Sequence, residues 1–226
     1  MAYILNIHTA TERAIVNLSC NAEVLRTLTN GISKDHASFL HLAIKEVLEK
    51  QNITSLDLDA IGITSGPGSY TGMRVGLSAA KGLCYALKIP LITYNCLEVM
   101  ASTLRDKYGG KDILYCPMID ARRMEVYTAM YNDKMEELLP PVAMILSENS
   151  FENFTKAFKV MFCGSGARKF QSVTGLPEAH FIDQDISSRS LSELSWNKFK
   201  NKIFTEVSAA QPLYLKEFYS PMKKPI

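Results

Sequence analysis

Residues 59–93 read DAIGITSGPGSYTGMRVGLSAAKGLCYALKIPLIT, and their pattern is strand, glycine loop, helix, strand. Ala60–Thr64 is a short apolar run with β-branched residues, as in a buried strand. Gly66, Pro67, Gly68 and Gly72 follow. Such a cluster predicts a tight turn where backbone passes close to something, because glycine alone takes φ > 0 without steric cost. From Met73 to Leu87 there is no proline, and Leu, Ala, Met and Lys favour a helix that Gly76 and Gly82 weaken. Pro90 ends it, and Leu91–Thr93 is the next strand. Only Arg74, Ser78, Lys81 and Lys88 interrupt the apolar surface of this helix. A helix apolar nearly all round is buried on more than one side. Two readings stay open: a central helix inside one domain, or a helix whose second face meets another protein. Gly76, Ala79, Ala80 and Gly82 permit the close approach that the second needs.

Ahead of this segment, Tyr3–His8, Arg13–Cys20 and Val24–Thr29 are three candidate strands, with Asn21–Ala22 as a hairpin turn. Asn30–Asp35 is a polar link in which Ser33 or Asp35 is placed to cap the next helix. That helix spans about His36–Gln51, with Leu40, Ile44, Val47 and Leu48 as its core stripe. Phe39, Leu42 and Ala43 lie off the stripe and widen the apolar face. Leu97–Tyr108 is a further helix, closed by Gly109–Gly110. A second series starts at Asp112. Ile113–Ile119 and Glu125–Tyr131 read as strands, and Met135–Leu139 as a weaker one that Pro140–Pro141 breaks. Ser150–Phe158 reads as helix and Val160–Cys163 as strand, and Gly164–Gly166 opens a short helix. Phe181–Ile182 is a short strand, and Arg189–Lys202 a helix with Leu191, Leu194 and Phe199 as core contacts. The repeated order of elements predicts a duplicated α/β architecture with mixed sheets, its halves meeting near Tyr108–Asp112.

The chain has 226 residues, 47% of them apolar, enough for one large domain or two modest ones. A net charge of +2, mixed along the chain, argues against a strong nucleic-acid surface on this protein alone. Cys20, Cys84, Cys96, Cys116 and Cys163 form no C-x-x-C pair and mostly lie in apolar runs. They fit buried free thiols in a reducing compartment better than a disulfide framework or zinc site. The N-terminus lacks the basic and long apolar regions of a signal peptide, and no run is long enough to span a membrane. A cytoplasmic protein is expected.

The loop G-P-G-S-Y-T-G is neither G-x-G-x-x-G nor G-x-x-x-x-G-K-[ST], and no acidic residue follows at ribose distance. Its backbone N–H groups at a helix start still suit an anion, with Ser69 and Thr71 as hydroxyl donors. The alternative is a turn built for close helix–strand packing. Ser69 is not in G-x-S-x-G, so no nucleophile elbow is indicated. His36 and His41, five apart, fall on different faces of a helix and make a poor metal pair. His8 and His180 stand alone, and hydrogen-bonded or solvated roles suit all four. The charged turn Asp120–Glu125 is either an ordinary solvated hairpin or a device that sets Arg122 or Arg123 beside a cleft to meet phosphate or carboxylate.

Taken together, these residues resemble a family. The run ITSGPGSYTGMRVGLSAAKGLCYALKIPLI closely resembles the signature of the bacterial TsaB (YeaZ) family. YILNIHTATERA looks like its first strand and turn, His36 with Leu40 its next helix, and MIDARRMEVYTAMY its D-A-R hairpin; CGSGARKF and QPLYLKEF resemble later landmarks. The resemblance covers nearly the whole chain. It implies an α/β, two-lobed actin-like or sugar-kinase-like (ASKHA) fold with ribonuclease H-like lobes and mixed sheets. On this sequence the first lobe is residues 1–108, with about 205–226 packing back on it, and the second is 109–204.

The resemblance also implies a role. TsaB proteins are the dimerisation platform for TsaD, the catalytic subunit that transfers threonylcarbamoyl to an adenosine beside the anticodon of tRNAs. A TsaE-like ATPase is a further partner. The helices His36–Gln51 and Met73–Leu87 are similar to the pair that packs on TsaD. This places His36, Phe39, Leu40, Ala43, Met73, Arg74, Leu77, Ala80, Lys81 and Cys84 at the partner interface. Alone, the same surface should form a homodimer. Gly66, Gly68, Ser69, Thr71, Gly72 and Arg122 are the candidate anion or nucleotide loop; no cofactor is required, and ATP or ADP at a subunit boundary is left open. No catalytic residue and no metal ligand is assigned. His8 stands where the family usually has aspartate, and neutral imidazole is a poor substitute for a carboxylate towards magnesium. The H-x-x-x-H metal motif of TsaD is absent too. Contact with tRNA is expected mainly through the complex; on this chain Lys216, Lys223 and Lys224 are the candidates, with a solvated tail as the favoured alternative. The rival readings are an ASKHA-type nucleotide-dependent enzyme and, with no nucleophile–base pair in support, a peptidase.

Overall fold

A computed structural model describes residues 1–31 and 35–216. The cap candidate Ser33 and the tail residues Lys223 and Lys224 lie outside the described residues. The first half runs β1 (Tyr3–His8), β2 (Ala14–Cys20), β3 (Glu23–Asn30), α1 (His36–Glu49), β4 (Ala60–Gly66), α2 (Tyr70–Leu87), β5 (Leu91–Asn95) and α3 (Cys96–Tyr108). The second half repeats it: β6 (Ile113–Asp120), β7 (Glu125–Tyr131), β8 (Glu137–Ile145), α4 (Glu152–Thr155), β9 (Lys159–Cys163), α5 (Ala167–Gln171), β10 (Ala179–Ile182) and α6 (Ser188–Lys200). The sheets are ordered β3-β2-β1-β4-β5 and β10-β9-β6-β7-β8. In each, the first three strands form an antiparallel meander and the fourth and fifth add in parallel beside the first. This is the duplicated, actin-like arrangement of ribonuclease H-like lobes with mixed sheets.

The core has three parts. Leu5, Ile7, Val16 and Leu18 on one face of the first sheet pack against Leu40, Val47, Leu77 and Ala80 of α1 and α2. Tyr94, Leu97, Met100, Tyr115, Tyr131 and Leu191 fill the centre, where α3 meets both sheets. Phe151, Phe162, Phe170 and Phe181 cover the outer face of the second sheet, with ring centroids 5.0–5.9 Å apart. By sequence order α6 belongs to the second half, but it packs across the first sheet and along α3. Its serines explain how so polar a helix is buried. Ser192 Oγ donates to Asn17 Oδ1 at 2.9 Å, and Asn17 also accepts from Nδ2 of Asn6, whose Oδ1 accepts from Tyr94 Oη at 3.0 Å. A satisfied polar network replaces apolar contact there.

Three expectations are corrected. Helix α2 begins at Tyr70, a turn before Met73, because Ser69 is an N-cap whose hydroxyl accepts from Gly72 N at 3.2 Å. Thr71 and Gly72 are therefore helical. Strand β8 runs through Pro140 and Pro141 instead of ending at Leu139. It is an edge strand, and its register slips opposite Ala129, where Thr128 pairs with Val142 and Met130 with Leu139. The prolines sit at that bulge, where no ladder N–H is needed. The helix expected over Ser150–Phe158 shortens to Glu152–Thr155.

Candidate partner surface and interlobe loop

Helix α1 turns His36, Leu40, Ala43, Ile44, Val47 and Leu48 inward, and α2 turns Gly72, Met73, Gly76, Leu77, Ala80 and Cys84 inward. Seven of the ten residues expected to meet a partner are thus inside the lobe: His36, Leu40, Ala43, Met73, Leu77, Ala80 and Cys84. This is a correction with a simple cause. Spacing of three and four identifies an apolar stripe, and the inward stripe is the better one. Arg74 and Lys81 are also engaged within the chain. Arg74 Nε donates to Tyr214 Oη at 2.9 Å and its guanidinium lies 3.9 Å over the Tyr70 ring. Lys81 Nζ donates to the carbonyls of Ser208 and Ala210 at 3.2 and 3.1 Å. Phe39 remains partly exposed.

The helices are nevertheless open on their outer sides, which excludes the reading of α2 as a central helix enclosed by its own domain. Leu42 is 70% exposed and Tyr85 84%. Val75, Ala79 and Leu83 are half-buried, at positions i, i+4 and i+8 of one stripe. Gly82 and Ala86 flank it, both exposed, and a Cβ on Gly82 would meet open space. Leu42 could be found in the sequence as an apolar residue off the core stripe. Tyr85 and Leu83 were hidden by the uniform apolarity of α2.

The glycine loop is packed onto the turn between β1 and β2. Ser69 N donates to Ala10 O at 2.6 Å, and Thr9 Oγ1 donates to Gly72 O at 2.7 Å. At Gly68, with φ of 156°, a Cβ would overlap the Ala10 carbonyl. At Gly72 it would overlap that of Thr9. These glycines serve close packing, the second of the two readings of the loop. The N–H groups of Ser69 and Gly72 are spent inside the chain. Gly66 is touched by the C-terminal segment, where Leu213 N donates to Ser65 O at 2.8 Å. Thr71 is exposed at the first turn of α2. Arg122 lies in the other half, exposed in the β6–β7 hairpin, its backbone N–H donating to Asp120 Oδ1 at 2.6 Å. Asp120 also receives Lys169 Nζ at 2.6 Å.

His8 ends β1 fully buried. Its Nε2 lies 2.7 Å from Thr11 Oγ1 and its Nδ1 2.8 Å from Thr64 Oγ1. Thr11 donates its own proton to Arg13 O, so the satisfied tautomer carries hydrogen on Nε2 and accepts from Thr64 at Nδ1. Burial, with smaller contributions from His36 and Arg13, lowers its pKa to about 3. The group is a neutral hydrogen-bonded side chain with both nitrogens occupied. Among the described residues no cluster of three or more His, Cys, Asp or Glu is placed to hold a metal ion. Four cysteines are buried free thiols, and Cys20 is partly so. Burial raises Cys84 to about 11 and Cys96 and Cys116 to about 12. Such thiols carry no nucleophilic thiolate at neutral pH. No helix of the described residues is long and apolar enough to cross a membrane.

A family model, TsaD: tRNA N6-adenosine threonylcarbamoyltransferase, matches residues 27–209. The tRNA threonylcarbamoyladenosine biosynthesis protein TsaB of Bacillus subtilis is 32% identical over 148 residues, covering 64% of this chain and 63% of the relative. In that match the chain spans just under two thirds of the relative's length. The protein of the same name from Buchnera aphidicola subsp. Acyrthosiphon pisum is 26% identical over 220 residues, covering 93% of this chain and 97% of the relative. Among solved structures, an uncharacterized Pseudomonas aeruginosa protein with similarity to peptidase YEAZ superposes with a TM-score of 0.85 at 23% identity, over 96% of this chain and 100% of that one.

Proposed function

The chain belongs to the TsaD family as the matching model defines it, within its TsaB (YeaZ) branch, and from that premise we propose that it is the non-catalytic subunit that docks on a TsaD-like enzyme and activates it. The reaction is formation of N6-threonylcarbamoyladenosine beside the anticodon of tRNA. One observation carries the reading: α1 and α2 leave large apolar side chains exposed, Leu42 and Tyr85 foremost. Large apolar side chains left exposed on two neighbouring helices are the surface an interaction site needs. A helix pair with small residues at Ala79, Gly82 and Ala86 admits a partner helix to close range.

The same face accounts for a homodimer when the partner is missing. A TsaE-like ATPase and tRNA join through the complex, and the chain works in the cytoplasm. The state of His8 supports the absence of independent catalysis, since a neutral imidazole with both nitrogens occupied offers nothing to a nucleotide-bound cation. The rival reading, a nucleotide-dependent enzyme using the glycine loop and Arg122, is weakened by the commitment of the Ser69 and Gly72 amides. ADP or ATP at a boundary with the partner remains compatible with the docking role.

Reconstituted tRNA modification tests the proposal. Modified adenosine should appear only when this chain accompanies the TsaD-like subunit, and not with this chain in its place. Equal yield without the chain would overturn the proposal.

A further inference from the structure

The C-terminal segment touches both halves of the molecule. Thr205 N donates to Leu91 O at 2.8 Å, and Thr93 and Thr205 hydroxyls lie 2.7 Å apart, which starts the segment along β5. Lys81 grips the carbonyls of Ser208 and Ala210, and Ala210 is buried. The chain then crosses the end of β4, where Leu213 N bonds Ser65 O and the Leu213 carbonyl lies against Gly66. Tyr214 follows, its ring centroid 5.5 Å from that of Tyr70 and its hydroxyl held by Arg74. Two residues later Lys216 Nζ pairs with the Glu125 carboxylate, at the start of β7 in the second half.

We infer that residues 211–216 are a latch between the halves, holding the glycine loop of the first and the Asp120–Glu125 hairpin of the second at one separation. Each contact alone is modest, and an exposed ion pair holds little. In series they are consecutive on six residues of chain whose upstream end is anchored by Ala210. Pro212 stiffens the segment and fixes φ near its start. The hairpin end is itself braced, because Lys169 Nζ reaches Asp120 Oδ1 and the Glu125 carbonyl, at 2.6 and 3.3 Å. Movement of Lys216 is therefore passed to a stiff turn. At the other end Ser65 and Gly66 lead directly to Ser69, the cap of α2. Release of the latch frees the glycine loop and the hairpin together.

Amide hydrogen exchange on the full chain tests this, because it reads local opening segment by segment. Lys216→Glu should speed exchange about threefold or more in both 65–70 and 121–127, while β3 and β10 stay at wild-type rates. Leu213→Pro, which deletes the N–H given to Ser65, should do the same. The charge swap Lys216→Glu with Glu125→Lys should restore both segments towards wild type. Faster exchange confined to 211–216, or a swap no better protected than Lys216→Glu, would overturn the inference.

Discussion

Thr9 and Gly72 lock the start of α2 onto the first sheet: the Thr9 hydroxyl donates to the Gly72 carbonyl at 2.7 Å, and the Thr9 carbonyl fills the space a Gly72 side chain would need. Gly72→Ala should therefore destabilise the protein by about 1–3 kcal/mol, since backbone rather than a flexible side chain must move. Thr9→Val keeps the shape and removes the donor; the Gly72 carbonyl keeps its place in the helical ladder of α2, so the cost should be about 0.5–1.5 kcal/mol. Urea denaturation of both variants measures the two effects.

The buried network on the α6 side gives a second expectation. Asn17 accepts from Asn6 and Ser192 and donates to Thr27. Asn17→Ala removes the acceptor that Asn6 Nδ2 and Ser192 Oγ share, leaving them Ser19 Oγ and the Ser188 carbonyl, and should cost about 1–3 kcal/mol. Asn17→Asp retains the acceptor but buries a charge and should fare no better at neutral pH. Thermal melts by circular dichroism distinguish both from wild type.

Acid should weaken the fold through His8. The unfolded chain takes up this proton near the ordinary value of 6.5, whereas folded His8 stays neutral until about pH 3. The unfolded state binds more protons between those values, so the contribution is complete above about pH 6.5 and is lost progressively as pH falls towards 3. His8→Asn should be less stable at pH 7.5 yet show a shallower decline on acidification. Chemical denaturation at pH 7.5, 6 and 5 reads the slope; a decline as steep as that of wild type would assign it to other groups.

Most of the architecture was legible because the two halves state the same pattern twice and the strands are bounded by strong turn residues. Asn21, for example, takes the left-handed conformation expected of a two-residue hairpin turn. The continuation of β8 through Pro140 and Pro141 was not legible, because edge position and bulge are properties of the assembled sheet. The site was legible at the level of helices but not of side chains. Leu77 and Ala80 look as apolar in sequence as Leu83 and Ala79, and only the packing of α2 decides which pair faces inward. The role of Arg74, Lys81 and Tyr214 depends on a C-terminal segment more than a hundred residues away in sequence. No local pattern carries that contact.

The same distinction sets the choice of interface variants. Leu77→Glu or Ala80→Arg places charge in the core and should unfold the lobe. Gly82→Arg meets open space within its own chain. It should leave the melting temperature within a few degrees of wild type while abolishing self-association. Sedimentation equilibrium should show a concentration-dependent dimer for wild type and a monomer for Gly82→Arg; a dimer in both would move the contact away from α2.

The affinity of this chain for a TsaD-like subunit, measured by calorimetry for wild type, Leu83→Glu and the distant surface control Leu138→Glu, tests the docking face most directly. Leu83→Glu should bind at least about thirtyfold more weakly, the loss expected of a central apolar contact, with its far-UV circular dichroism at the assay temperature unchanged and Leu138→Glu binding as wild type. Wild-type affinity in Leu83→Glu would contradict the assignment of the outer face of α1 and α2 to the partner.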